Sequence, residues 1–507
     1  MKKALLALLI FAGISQLQLS SQDYHPEDVA ALKDLLRMQS PDGRCLFEAI
    51  HMNPLDTADW AYSNNWIQHR FDRPQDPNEP ENPWRPMPEG FCRWKAIDLK
   101  EEYPEYVDIK RLTEINMEVS EKFLFGVQKF RQFEYLEKLK IQGQEIQTLD
   151  VSENIHLKEL DCDGSNITDL VLGYKYYLEV LKCSGNQLDA IDLAYTPALK
   201  ELHCERNQLS CLNLSSCQSL KILNCSNNQL TSLSTSPCWF LETLYCQDNQ
   251  LTTLNLGNNT NLKHLQCYSN QLQSLDIYNC RSLELVHCYW NSITLLDFRN
   301  SPNIAQINCF GNQIQTLHLG ENPKLNDLVC RGNKISSLNL TRCVELRELD
   351  CQLNLLTALD ISNCTKLTYL NGNANVIPSI NFQRNTELTY LSCQTRLTSI
   401  DLTKCTKLKT LMIGSNNIGS LDLSKCVDLE YLNCSGCGLT SLDLRNCPKL
   451  TYINCIVNSL RYSTFKYNNT SNPKIYFMGQ KDVEVEVLEG ETVNLNSEFV
   501  NSGIQVR

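Results

Sequence analysis

Cysteine is the residue type with the most obvious chemical potential in this chain, because 25 of the 507 residues are cysteine. Thiolates attack electrophiles, bind soft metals and form disulfides. However, 21 of these cysteines occupy two fixed places of one repeated pattern. The first place holds Cys162, Cys183, Cys204, Cys225, Cys246, Cys267, Cys288, Cys309, Cys330, Cys351, Cys393, Cys434 and Cys455.

Such regular placement predicts a structural role for the cysteines. In adjacent parallel coils their Cα atoms would lie about 4.8 Å apart, but their Cβ vectors would run side by side, which does not favour a disulfide. We therefore interpret them as small buried hydrophobic residues with weak S–H donors. Cys434 and Cys437 have C-x-x-C spacing, but Cys434 is expected to point inward, so no metal site is predicted. Cys45 and Cys92 lie outside the repeats, and the sequence leaves open whether they form a disulfide with each other or stay free.

The other residues capable of catalysis form no constellation. Aspartates recur in L-D-L segments, as at Asp276, Asp297 and Asp360, but no residue of another type recurs with them. The 8 histidines lack metal-ligand spacing, and neither G-x-S-x-G nor a phosphate-binding loop occurs. The sequence therefore predicts no enzymatic activity and no cofactor.

The repeated pattern is L-x-x-L-x-C-x-x-N-x-L-x-x-L-D-L-x-x-C-x-x. It recurs every 21 residues, sixteen times between Leu136 and Leu460, with one residue missing after Cys393. In each unit the first leucines, the first cysteine and the later leucines are expected to point inward. A unit of this size cannot bury its apolar side alone and must stack on its neighbours. It also has no room for a long helix, so short strands or 3₁₀ segments are expected in both halves.

An asparagine in each unit is predicted to have a structural role. Its side chain can bond backbone groups of the turn and of an adjacent coil. The predicted positions are Asn186, Asn207, Asn228, Asn249, Asn270, Asn291, Asn312, Asn333 and Asn354, and replacements are expected at Gln144, Ser165, Arg396 and Cys437.

These motifs resemble leucine-rich repeat proteins, and the 21-residue period with the L-D-L half resembles the bacterial IRREKO-type class. The resemblance covers Leu136 to Leu460. It implies an α/β fold that is β-rich and helix-poor: a right-handed solenoid with parallel strands on the concave face. Internalin-like bacterial surface proteins share this architecture, which implies adhesion to proteins of a host or a neighbouring cell.

Aromatic residues cluster at predicted exposed strand positions in the middle of the repeats. Because adjacent coils lie about 4.8 Å apart, these side chains should form one patch. Exposed aromatic and arginine side chains are typical of binding sites, although the rings could merely pack on one another. The candidate ligand-binding residues are Tyr245, His264, Tyr268, His287, Tyr289, Trp290, Phe310 and Arg331. Other exposed positions hold polar residues expected to be solvated, such as Lys140, Asp161 and Lys182. A second row, Tyr369, Tyr390, Tyr431 and Tyr452, is interpreted as stacking that supports the sheet.

The ends of the chain do not repeat. Lys2 and Lys3 followed by an apolar stretch indicate a signal peptide over residues 1–22. Residues 23–111 are expected to form an N-terminal cap that shields the first coil, with Trp60, Trp66, Trp84 and Trp94. The solenoid is expected over residues 112–461, beginning with a transitional coil, and residues 462–507 should form a short β-rich C-terminal cap or the start of a small β module.

The net charge of −12 makes nucleic acid an unfavourable partner. No apolar run after the N-terminus reaches the roughly 18 residues that span a bilayer. Together these features predict a secreted or cell-surface bacterial adhesin that binds protein through its concave face. Alternatives are glycan binding, an envelope component without a specific ligand, and an activity confined to residues 23–111.

Overall fold

The computed structural model describes residues 92–96, 110–116, 124–131, 133–461, 464–467 and 474–477. The chain divides into two compact units, Met1–Gln250 and Leu251–Arg507, which we call the N-unit and the C-unit. The predicted signal peptide, most of the N-terminal cap and most of the C-terminal cap lie outside the described residues. The same holds for Cys45 and for the side chain of Cys92.

The N-unit contains a row of parallel strands that we call its main sheet, and a second row in the other half of the coils. The main-sheet strands are β1 (Cys92–Ala96), β2 (Lys110–Asn116), β4 (Lys138–Lys140), β6 (Glu159–Asp161), β8 (Val180–Lys182), β9 (Glu201–His203), β10 (Ile222–Asn224) and β12 (Thr243–Tyr245). The second-row strands are β3 (Phe125–Lys129), β5 (Glu145–Asp150), β7 (Asp169–Val171) and β11 (Ser232–Ser234). Only β1 runs antiparallel to its neighbour among the described pairings, and it pairs with β2.

The C-unit has the same two rows. Its main sheet comprises β14 (His264–Gln266), β15 (Leu285–His287), β17 (Gln306–Asn308), β19 (Asp327–Val329), β20 (Glu348–Asp350), β21 (Tyr369–Asn371), β22 (Tyr390–Ser392), β23 (Thr410–Met412), β24 (Tyr431–Asn433), β26 (Tyr452–Asn454) and β28 (Lys474–Tyr476). Its second row comprises β13 (Thr253–Asn255), β16 (Leu295–Asp297), β18 (Thr316–His318), β25 (Leu442–Leu444) and β27 (Phe465–Tyr467). No α-helix occurs among the described residues of either unit, which confirms the helix-poor solenoid.

The register of the main sheets follows the sequence period. Leu181 of β8 pairs with Leu202 of β9, one coil of 21 residues later. The missing residue after Cys393 is confirmed, because Tyr390 pairs with Thr410, only 20 residues on. Past Leu460 the period stops but stacking continues, since Tyr452 pairs with Lys474 and Leu442 with Phe465.

The core is a set of columns, one for each inward position of the repeat. In the coil of β8, Leu178, Leu181, Cys183 and Leu188 are all fully buried, as predicted. Complete burial of one leucine side chain stabilises a protein by about 1.5–3 kcal/mol. Since every coil adds the same columns, the fold gains stability by stacking and needs no single large core.

An asparagine ladder links successive coils. The Asn186 side-chain amide donates to the carbonyls of Cys183 in its own coil and of Cys162 in the preceding coil, at 2.9 and 3.0 Å. Its Oδ1 accepts from the backbone N–H groups of Ser165 and Ile167, both at 2.9 Å. The side chain thus satisfies buried backbone groups that neither coil could pair alone.

The replacements of this asparagine differ from the expectation at one position. Thr395, not Arg396, takes the ladder place, because it is buried and its hydroxyl donates to the Ile377 carbonyl at 2.9 Å. The deletion after Cys393 therefore falls before the ladder position. Ser165 and Cys437 also fill the place as expected and donate to the carbonyls of Ile141 and Ile413.

Each turn after the first cysteine position contains a residue with left-handed backbone, except the turn after Cys393, which is one residue shorter. Glycine fills it at Gly311 and Gly332, with φ of 63° at both. Elsewhere bulky residues adopt it, including Trp290 at φ 52° and Leu353 at φ 55°. This conformation costs roughly 1–2 kcal/mol for a residue with a Cβ. The coils that place large side chains there carry strain that the turn geometry imposes.

Candidate functional site

The cysteine columns form no reactive site. All described cysteines are free thiols, and only Cys211 among them is exposed. Burial raises the pKa of Cys225 to about 12 and that of Cys267 well above its usual value, so both thiols stay protonated. The sulfur of Cys162 lies 3.4 Å from the Lys182 carbonyl in the next coil, as expected for a weak S–H donor. Among the described residues no group of His, Cys, Asp and Glu is arranged to hold a metal ion.

The main sheet of the N-unit presents a charged face. Glu159 accepts ion pairs from Lys138 at 3.1 Å and Lys140 at 3.0 Å. Partial burial raises the pKa of Glu159, but the two lysines outweigh this and hold the pKa below its usual value. Asp161 was expected to be solvated and is not. Only 2% of it is exposed, because it lies beneath Gln142, whose amide donates to it, and near Lys182.

The main sheet of the C-unit presents aromatic rings instead. Tyr268, Tyr289 and Phe310 each follow the inward cysteine of their coil, so they form a column. The Tyr268 and Tyr289 rings stack at 4.2 Å between centroids, and the Tyr289 and Phe310 rings at 4.6 Å. The next coil contributes Arg331, whose guanidinium lies over the Phe310 ring at 4.7 Å. We call Tyr268, Tyr289, Trp290, Phe310 and Arg331 the aromatic patch.

Trp290 is the most exposed member of the patch. Its ring meets those of Tyr289 and Phe310 edge-on, at 5.6 and 5.4 Å, and the residue is 59% exposed. A Cβ added to Gly311 would come within 2.8 Å of the Trp290 ring, so this glycine makes room for it. The preceding coil has Ser269 at this left-handed place and the following coil has Gly311, so the turn itself does not require a large residue there.

The three remaining candidate residues lie at different positions. His287 is half-buried beside Tyr289, at 6.4 Å between ring centroids, and burial lowers its pKa. His264 is half-buried at the start of β14, and its Nε2 lies 4.0 Å from the Glu284 carboxylate. Tyr245 ends β12 in the N-unit, so it belongs to the other compact unit.

Four tyrosines begin main-sheet strands of the C-unit, and we call them the tyrosine row: Tyr369, Tyr390, Tyr431 and Tyr452. Tyr369 stacks on Tyr390 at 4.4 Å and Tyr431 on Tyr452 at 4.2 Å. Burial, followed by the neighbouring tyrosine, raises the pKa of Tyr369 to about 12. The stacked rings support one another, as expected if these tyrosines stabilise the sheet.

One exposed aromatic cluster was not foreseen. Tyr174, Tyr176, Tyr177 and Tyr195 lie in the second half of N-unit coils, and Tyr174 and Tyr195 approach to 4.5 Å. The segment YKYY is a run of aromatic residues in the sequence, but it lies outside the strand positions at which the binding patch is predicted. Lys175, which lies between Tyr174 and Tyr176 in the chain, is fully buried in a column that holds cysteine or a small polar residue in other coils, and burial lowers its pKa to about 8.

Solved structures of bacterial proteins are similar to this stacked-coil fold. The functional domain of InlJ from Listeria monocytogenes, described as including a cysteine ladder, is 28% identical, with a TM-score of 0.52 over 70% of each chain. YopM from Yersinia enterocolitica is 23% identical, with a TM-score of 0.51 over 69% of this chain and 78% of YopM. Neither a protein-family model nor a curated protein sequence matches the chain.

The stacked 21-residue coils, the cysteine columns and the likeness to these bacterial structures show the fold. The chain is a leucine-rich repeat solenoid. In this leucine-rich repeat protein the inward positions and the asparagine ladder build the fold. The outward positions of the main sheet remain free to differ between coils, and they do so most at the aromatic patch.

The described part of this leucine-rich repeat protein contains no helix long and apolar enough to cross a membrane.

Proposed function

We propose that this leucine-rich repeat protein is exported by a bacterium and binds a protein partner through the main sheet of the C-unit, as a secreted or surface adhesin. The observation that carries the proposal is the aromatic patch. Its rings occupy outward positions, and Trp290 is held in a strained conformation that the fold does not require of a large residue. Tyrosine, tryptophan and arginine contribute most of the binding energy at protein interfaces.

Export is supported by the N-terminal sequence. A basic pair, Lys2 and Lys3, precedes an apolar stretch too short to span a bilayer. Secretion agrees with a function carried out by an exposed binding face. The buried, protonated thiols also offer little reactivity toward an oxidising exterior, since thiolates are the reactive species.

A protein partner is favoured over a glycan because the faces of the central ring are already covered. Sugar rings bind the flat faces of aromatic side chains. Tyr289 has Tyr268 on one side and Phe310 on the other, and Phe310 in turn is covered by Tyr289 and Arg331. The column therefore presents ring edges and hydroxyl groups, which suit the irregular surface of a protein.

The recurrence of aspartate is also accounted for without a catalytic role. Among the described residues the aspartates of the second half, such as Asp360 and Asp422, accept hydrogen bonds from the backbone two residues on. They close turns, which explains their recurrence in structural terms.

The test is a binding screen of the mature chain against bacterial surface proteins, host matrix proteins, mucins and a glycan array. Each hit is repeated with Tyr289→Ala/Trp290→Ala. We expect a protein hit that weakens at least about tenfold in this variant, as for the loss of a hot spot.

The matched control is Trp239→Ala/Phe240→Ala, which removes an exposed tryptophan and its aromatic neighbour from outside the main sheet. The control should bind as the unmodified chain does. Hits that survive the patch variant, or that are lost only in the control, would refute the proposed site. Glycan hits lost with the patch would refute the proposed partner class.

A further inference from the structure

Beside the aromatic patch the main sheet of the C-unit forms a shallow hollow. Its lining residues come from four successive coils: Asn308, Phe310, Val329, Arg331, Glu348, Asp350 and Tyr369. We propose that this hollow receives the side chain of an arginine or lysine of the protein partner. The proposal rests on the proposed function and adds the partner's chemistry to it.

The register shows how these residues come together. Asn308, Val329 and Asp350 are neighbours across three paired strands, β17, β19 and β20. Glu348 lies at the start of β20 and pairs with Tyr369 of β21. Phe310 and Arg331 follow the inward cysteines of their coils. The hollow therefore crosses the sheet diagonally, from the aromatic patch to the tyrosine row.

The carboxylates of the hollow are only partly compensated. Glu348 is exposed and forms no ion pair among the described residues. Asp350 is buried. It accepts the Gln352 N–H at 3.1 Å, and a guanidinium nitrogen of Arg331 lies 3.9 Å away. Asp327, paired with Glu348 in the sheet, has one buried oxygen without a hydrogen-bond donor. Burial, and then the charge of Glu348, raises the pKa of Asp327. A further cation would relieve this excess of negative charge.

The apolar lining fits the stem of a long basic side chain. Lysine and arginine bury their methylene groups along apolar surface and keep the charged end near polar groups. Phe310, Val329 and Tyr369 supply such a surface next to Glu348 and Asp350. The structure already shows one example of the geometry, since Arg331 lies over Phe310 and faces Asp350.

Binding of an anionic side chain in the hollow is disfavoured by the same lining residues. It could pair with Arg331, but it would then lie close to the carboxylates of Glu348 and Asp350. A purely apolar group would remove water from those carboxylates without replacing the lost hydrogen bonds. A cationic donor on a long stem satisfies both parts of the lining.

The test uses three blocked pentapeptides, Gly-Gly-Arg-Gly-Gly and its Gln and Glu counterparts, with the full chain in ligand-observed saturation-transfer NMR. We expect the Arg peptide to bind in the millimolar range and the Gln and Glu peptides to bind at least about tenfold more weakly. Glu348→Gln should weaken the Arg peptide about tenfold, and Glu348→Lys should abolish its binding. Glu348 is exposed, so neither change removes a buried contact.

The charge-matched control is Glu321→Gln/Glu345→Gln, which removes two acidic side chains whose ion pairs lie outside the main sheet. It should leave binding of the Arg peptide unchanged. The inference fails if the Arg peptide does not bind, if the Gln peptide binds as well, if the Glu peptide is preferred, or if the control variant weakens binding equally.

This outcome is separable from that of the proposed function. If the Arg peptide fails to bind but a captured protein still depends on Tyr289 and Trp290, only the basic side chain is ruled out. If the Arg peptide binds through Glu348 but no captured protein depends on the aromatic patch, the proposed interaction site is wrong while the hollow still accepts a cation.

Discussion

The two compact units are built from the same coil and present different main-sheet faces. In the N-unit the outward positions hold paired charges, such as Glu159 with Lys138 and Lys140. In the C-unit they hold the stacked rings of Tyr268, Tyr289 and Phe310. Their interiors are alike, since Leu202 and Cys204 in one unit are buried as completely as Leu328 and Cys330 in the other.

This contrast separates the positions that the fold constrains from those that it leaves free. Inward positions repeat because each must match the coil above and the coil below at close-packed density. Outward positions contact solvent and need not match the core. A change of residue type at an outward position, maintained over several coils, therefore points to a partner, whereas the same regularity inside points to packing.

The largest expected effect tests whether the interiors are equivalent. Asn207→Ala in the N-unit and Asn312→Ala in the C-unit each remove an acceptor for one buried N–H and donors to two buried carbonyls. Unpaired buried groups cost about 1–3 kcal/mol each, so we expect a loss on the order of 3–5 kcal/mol in either variant.

Urea denaturation followed by circular dichroism measures both losses. Asn339→Ala is the control, since this exposed side chain accepts one turn N–H and its loss should cost less than about 1 kcal/mol. A much smaller loss for Asn207→Ala than for Asn312→Ala would show that the asparagine ladder does not stabilise the two units equally.

The second prediction concerns the charge buried inside the N-unit. Lys175→Thr gives the column a small uncharged residue, as at Thr196 in the next coil, and should stabilise the chain by about 1–3 kcal/mol near neutral pH. The folded pKa of Lys175 is about 8 against 10.5 for the free side chain, so the unfolded chain holds the proton more tightly. The unmodified chain should therefore gain stability, relative to the variant, as the pH rises from about 8 to 10.5.

Denaturation midpoints of the unmodified chain and the variant, measured across this pH range, test the prediction. The difference between them cancels the titration of exposed groups common to both. A constant difference would show that Lys175 keeps its ordinary pKa in the folded chain.

The third prediction separates strain from binding at Trp290. Trp290→Gly relieves the left-handed backbone but loses edge contacts to Tyr289 and Phe310 worth about 0.5–1.5 kcal/mol, so stability should stay within about 1 kcal/mol of the unmodified chain. Trp290→Ala keeps the strain and should be the less stable variant. Both should lose partner binding. Thermal unfolding and binding are measured together, and a glycine variant less stable than the alanine variant would contradict the strain argument.

The smallest effect is expected on the charged face of the N-unit. Lys138→Gln/Lys140→Gln removes both ion pairs of Glu159, and exposed pairs contribute about 0–1 kcal/mol each. High salt should reduce this difference further. Urea midpoints at low and high salt provide the measurement. A loss comparable to that of Asn207→Ala would mean that the outward charges, like the interior, hold the coils together.

Much of the fold was predictable from local pattern. The period placed Leu181 and Cys183 inward and located the deletion after Cys393, because a stacked coil has one register that keeps all apolar residues inside. The asparagine ladder was equally predictable from the pattern, although the deletion moved one ladder position to Thr395. The aromatic column was also foreseen, since residues 21 apart become neighbours once the coils stack.

Other features were decided by the tertiary structure. The burial of Asp161 beneath Gln142, the covering of both faces of Tyr289, and the hollow between the aromatic patch and Tyr369 depend on where side chains of neighbouring coils turn. The coil, its period and the residues facing in and out can be derived from the amino-acid pattern, because they follow from a repeat that must bury one side. Which outward side chains cover one another, and which leave space for a ligand, only the stacked structure decided, because rotamers and contacts between coils are set by packing in three dimensions.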